Sequence, residues 1–245
     1  MSEVIAHQSS IDTRLKLGLQ STEYFDVIRA VISLGITCIK KPLESNLSGA
    51  TLKGNKVKII FVNSAKTLGH QNFTIAHEIY HCLYDENLTS RACQTEVLNG
   101  DSANEQIANS FATYLLMPED GIYHQLRLRG KAGPKLKLED IVGLEQYFGV
   151  SRRSICWRLE DLVLITRSDS DAFNYHVIQG VRNLGKDIQL YQPTNDSIII
   201  SDYVAKAREA LDRGLITHSR FDELLAGAGL NQDLSDELDD TIIVD

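Results

Sequence analysis

The chain has 245 residues, enough for one large domain or a catalytic domain with a smaller appendage, and enough to bury a core without staples. A hydrophobic share of 43% and a charged share of 24% are those of a soluble globular protein, and a net charge of −8 argues against a surface given over to nucleic acid. Cys38, Cys82, Cys93 and Cys156 are scattered and form no CxxC pair, which excludes a disulfide framework and a zinc ribbon.

Met1 to Lys16 lacks a signal-peptide layout, and no apolar run approaches the roughly 18 residues of a membrane span. A cytoplasmic, reduced protein with no membrane partner is expected. The first dozen residues read as a polar, loose segment. Thr22 to Leu34 carries Phe25, Ile28, Val31 and Ile32 at helical spacing, Gly35 ends that run, and Ile36 to Ile39 reads as a strand. Ala50 to Leu52 and Val57 to Asn63, parted by Lys53-Gly54-Asn55-Lys56, read as a hairpin. A small antiparallel sheet of about three strands thus precedes the first long helix.

That helix is expected from about Asn72 to Tyr84, with a polar stretch after it from Asp85 to Asn104. A second helix is expected from about Ala103 to Met117, where Pro118 stops it. Gln125 to Lys137 reads as a basic linker, followed by helices over about Leu138–Phe148 and Arg152–Ile165. Composition shifts near here, which divides the chain into a domain of residues 1–165 and a mainly helical appendage of 166–245. Within the appendage, Ser168 to Asp171 reads as a loop and Ser197 to Ser201 as a short strand. Helices are expected over Tyr203–Arg213 and Ser219–Leu225. The last fifteen residues carry six acidic and no basic groups, the composition of a solvated tail. The closing Thr241-Ile-Ile-Val-Asp245 could alternatively pair with a sheet edge.

The chemistry lies in His77-Glu78-Ile79-Tyr80-His81, an HExxH motif. Residues i and i+4 share a helix face, so both imidazoles can reach one ion. Zinc suits such ligands, and the intervening Glu78 can act as general base on a water that the metal acidifies. The surrounding Phe73, Ile75, Ala76, Ile79 and Leu83 make this a buried helix, where unpaired ionisable groups are costly. HExxHxxGxxH is absent, since Tyr84 and Asn87 occupy the Gly and third His positions.

A downstream carboxylate is therefore sought as third ligand, and Glu105 is the best placed. Its helix presents Glu105, Ala108, Asn109 and Ala112 along one stripe, with Asn109 available to hydrogen-bond a ligand from behind. Ser102 and Glu105 also fit a capping box, so ligand and cap both stand open on spacing alone. Asp85, Glu86 and Glu96 are rival carboxylates, although Asp85 lies two turns beyond His77, about 12 Å along the axis.

Phe73-Thr-Ile-Ala-His-Glu-Ile-Tyr-His81, the Glu105-xx-Ala-Asn-x-Phe-Ala112 stretch and Leu115-Leu-Met-Pro118 together resemble the ImmA/IrrE family of metallopeptidases. The likeness continues through Phe148-Gly-Val-Ser151 and Trp157-Arg-Leu159, covering roughly residues 20 to 165. It implies an α+β, zincin-like domain with a helical C-terminal region. It further implies Zn2+ held by His77, His81 and Glu105, with Glu78 catalytic. The expected partner is a protein substrate, a helix-turn-helix regulator of the phage-repressor kind or an antitoxin, in stress response or a toxin–antitoxin pair. The alternative is a zinc-stapled protein that binds its regulator without cutting it. The chain departs from many relatives in showing no fused N-terminal helix-turn-helix domain, and the segment after Ser168 matches no sensor domain.

Gly149-Val-Ser151 with Arg152, Arg153 and Arg158 also has the pattern of a DNA-binding turn and helix, in a stretch of eight basic and four acidic side chains. The acidic whole favours packing of these helices over direct nucleic-acid contact. Tyr114, Tyr123 and His124 are candidate oxyanion donors. Cys82, about 100° round the helix from His81, reads as a packed thiol.

Overall fold

A computed structural model describes residues 2–54, 57–85, 90–93, 103–130 and 135–227. The chain forms two compact units, Met1–Ile200 and Ser201–Asp245. The first therefore extends past the boundary at 165 that composition suggests.

Helix α1 (Ser2–Lys16) corrects the expectation of a loose N-terminus. Ala6, Ser9, Ser10 and Thr13 are buried, a stripe of small residues at helical spacing that lets α1 pack closely on α4 (Ala103–Leu116). Buried Arg14 is satisfied by carbonyls, donating from Nη1 to Leu115 at 2.6 Å and from Nη2 to Gln20 at 2.7 Å. Helix α2 (Val27–Ser33) is shorter than its apolar pattern because Asp26 caps it, accepting from the amides of Ile28 and Arg29.

Strands β1 (Thr37–Lys41), β2 (Gly49–Lys53) and β3 (Lys58–Asn63) follow. β2 and β3 pair antiparallel as the hairpin pattern requires, with Asn55 and Lys56 of its turn outside the described residues. β1 pairs with β3 in parallel, so the sheet is mixed rather than wholly antiparallel. β4 (Ser90–Cys93) adds to β2, and β5 (Ile198–Ile200) adds to β1, both antiparallel. The order is β4-β2-β3-β1-β5. β5 is tied further by Lys40, whose ammonium donates to Asp196 Oδ2 at 2.8 Å.

Helix α3 (Leu68–Tyr84) lies on the sheet against β2 and β3 and packs on α4. It starts a turn earlier than its apolar period suggests because distant chain segments hold its first turn. The Leu68 amide donates to the Gln192 carbonyl at 2.9 Å, and buried Gln71 Nε2 reaches Lys66 O and Thr194 Oγ1. Gly69 permits contact with the next layer, since a Cβ there would sit 2.8 Å from the Ser151 nitrogen.

Past Pro118, residues read partly as linker form α5 (Glu119–Leu128). α6 (Leu138–Phe148) and α7 (Arg152–Asp161) flank a turn in which Gly149 takes φ 64° and Ser151 caps α7. The stretch read as a loop is α8 (Arg167–Phe173), started by reciprocal capping between Thr166 and Asp169. α9 (Val177–Asn183) and a 3-10 turn (Gln189–Tyr191) lead to β5. The second unit holds α10 (Tyr203–Asp212) and α11 (His218–Gly227), joined through Ala207, Phe221 and Leu225. The acidic tail lies outside the described residues. The architecture is α+β with a helical C-terminal region, as expected.

Candidate metal centre

One face of α3 and the start of α4 bring three donor groups together. Glu105 Oε2 lies 3.1 Å from His77 Nε2, Glu105 Oε1 lies 3.3 Å from His81 Nε2, and the two Nε2 atoms are 3.2 Å apart. His77 and His81 are fully buried, and Glu105 is partly so. Among the described residues, this is a group of donors able to hold a metal ion. Ala108 and Ala112, small residues on the same stripe of α4 as Glu105, are wholly buried, and α4 packs on α3.

Each imidazole is held from behind. His77 Nδ1 meets Asn109 Oδ1 at 2.9 Å, and His81 Nδ1 meets Asp85 Oδ2 at 3.2 Å, which Asn104 Nδ2 also reaches at 3.3 Å. An oxygen acceptor at Nδ1 places the ring proton there, leaving the Nε2 lone pair to face inward. Two such lone pairs and a carboxylate then converge, an arrangement that a cation satisfies. Two imidazoles and a carboxylate are also a donor set that suits zinc. The electrostatics favour positive charge at the cluster, whether a proton on Nε2 or a metal ion in its place. Burial alone would raise the Glu105 pKa, but the hydrogen bonds and charges of His77 and His81 outweigh it and hold the carboxyl well below the usual range. Burial pulls His77 down, yet its bond to Glu105 and the charges of Glu78 and Glu105 leave it raised.

The rival carboxylates separate. Asp85 stands behind His81 rather than beside the other donors, as the axial distance implies. Glu86, Glu96 and the capping residue Ser102 lie outside the described residues.

Glu78 is completely buried on the sheet side of α3. Thr51 Oγ1 on β2 donates to its Oε2 at 2.6 Å, while Oε1 has no hydrogen-bond partner among the described residues. Gly49, two residues before Thr51, keeps space around that oxygen. A Cβ at Gly49 would stand 2.9 Å from Glu78 Oε1 and 2.5 Å from the Thr74 methyl. Thr51 carried no signal in the sequence, because its contact spans 27 residues between a strand and a helix.

Other candidates fall elsewhere. Tyr114 meets His7 edge-to-face and is covered by the Arg158 guanidinium at 5.0 Å. Tyr123 and His124 lie on α5, which packs on α6. Cys82 is buried, and burial pushes its thiol up to about 11. Arg152 is turned inward to pair with Glu145, and Arg158 donates to the Met117 carbonyl at 3.0 Å, so two arginines of the helix-turn-helix pattern serve packing.

Among the described residues no helix is long and apolar enough to cross a membrane. No curated protein matches the chain. Residues 33–160, more than half of the chain and including the whole donor cluster, match the family described as peptidase M78, IrrE N-terminal-like domain. The chain belongs to this family of metallopeptidases.

Proposed function

We propose that the protein is a zinc-dependent endopeptidase acting on a regulatory protein, with His77, His81 and Glu105 as zinc ligands and Glu78 as general base. The observation that carries this reading is the convergence of three donors, two of them buried imidazoles fixed by oxygens at their far nitrogens. When bound, zinc supplies Lewis acidity toward a peptide carbonyl and acidifies water.

The chain's own residues account for the proton. Thr51 orients the Glu78 carboxylate through Oε2, leaving Oε1 to accept a proton from the attacking water. The same oxygen then delivers it to the leaving amine nitrogen. A buried carboxylate oxygen without a partner among the described residues costs stability, which supports chemistry over a purely structural metal site. A regulator or antitoxin as substrate is supported by the resemblance of the HExxH, ExxANxFA and LLMP segments.

The test is to map new protein N-termini in host lysate after adding native or Glu78→Gln protein, with zinc measured in both. Cuts made only by the native protein are expected, with equal zinc. Equal zinc and no native-specific cuts would sink the catalytic reading in favour of regulator binding.

A further inference from the structure

A cleft of about 600 Å3 continues the α3–α4 seam away from the metal centre toward α7. Its near end is Asn109, the residue that holds His77. Phe73 and His70 line it one and two turns before His77, about 6 and 11 Å along the helix axis. About three residues of extended peptide span that distance.

Its chemistry is specific. Phe73 and the half-exposed Trp157 provide apolar surface. Lys66 and Arg153 add two cations with no carboxylate partner among the described residues, Arg153 lying over the Trp157 ring at 4.7 Å. By contrast, Arg158 is neutralised by Asp161 at the Tyr114 end, where Glu3 is the further acid.

Building on the peptidase reading, we propose that this cleft selects the substrate. It takes an extended peptide segment with an aromatic side chain against Phe73 and Trp157, and a carboxylate beside Lys66 and Arg153. A peptide fits better than a nucleic-acid backbone, because among the described residues the cleft offers two cations without a carboxylate partner, set beside the aromatic surface of Phe73 and Trp157.

Trp157 is the only tryptophan in the chain, so its fluorescence reports on the cleft directly. Zinc-loaded Glu78→Gln protein is titrated with capped Ala-Ala-Phe-Glu-Ala-Ala and with analogues carrying Gln or Lys in place of Glu. A saturable change is expected for the Glu peptide, about tenfold weaker for Gln and absent for Lys, and weakened by salt. In a Lys66→Glu, Arg153→Glu variant that keeps its circular dichroism, the order of Glu and Lys peptides should reverse. Equal or absent responses to all three peptides, an unchanged order in the variant, or saturation only with a single-stranded DNA oligomer would overturn the proposal. Incubating the same peptides with native protein reads catalysis separately: selective binding without hydrolysis keeps the cleft assignment and counts against the peptidase reading.

Discussion

Thr51 and Glu78 form a pair in which one hydroxyl fixes one oxygen and releases the other. Replacing Thr51 by Val removes the donor at nearly constant volume. kcat should fall on the order of tenfold, with KM and zinc content unchanged, and Thr51→Ser should restore most of the loss. A rise in KM, or no rescue by Ser, would mean that Thr51 only fills space. Behind the proposed ligands, Asn109→Ala and Asp85→Ala each free one imidazole to rotate. Zinc affinity should drop about 10- to 100-fold in each, measured by competition with a fluorescent chelator. At this scale the sequence was informative where contacts are local. The spacing of His77 and His81 translates directly into a shared face, and Glu105 with Asn109 sits on one stripe of the next helix. Thr51 and Gly49 were invisible because their role appears only when β2 meets α3.

Elements were legible wherever an apolar period was present, as in α3, α4, α6 and the β2–β3 hairpin. α1 was missed because its packing face consists of Ala6, Ser9, Ser10 and Thr13, small and mostly polar residues with no hydrophobic signature. α8 was missed because a reciprocal cap, not apolar spacing, starts it. The parallel pairing of β1 with β3 was hidden for another reason, since strand propensity carries no direction. β5 is fastened by Lys40 and Asp196, and that pair gives a pH prediction. Burial would raise the Asp196 pKa, but Lys40 and Thr194 outweigh it and leave the folded value below the ordinary 3.8. The stabilisation is therefore complete above 3.8 and disappears as pH falls through the depressed value. In urea titrations, native protein should exceed Asp196→Asn at about pH 6, and the gap should close progressively below about pH 4. A gap that persists in acid would place the contribution in packing rather than charge.

For the whole molecule, the proposed zinc site would link metal binding to folding, because its three donors come from two helices and the groups behind them from α4 and the C-cap of α3. Zinc at about 100 times its dissociation constant adds about 2.7 kcal/mol if only the folded state binds. For a chain of this size that corresponds to a rise in Tm of about 5–10 °C over metal-stripped protein, reversed by chelator. Scanning calorimetry of His77→Ala should show no such rise. A similar rise in that variant would mean that the stabilising zinc binds elsewhere.

The late arrival of β5 bears on how the protein is made. β1 ends at Lys41 and its outer partner begins at Ile198, so the newborn sheet waits for the ribosome to add the intervening chain. At about 5–20 residues per second this takes roughly 8–30 s. Throughout that interval the outer edge of β1 is open to strands of neighbouring nascent chains. Lys40 sits toward the end of that edge, and an unpaired charge there discourages illegitimate pairing. Once Asp196 arrives, the same ammonium becomes the latch that closes the sheet.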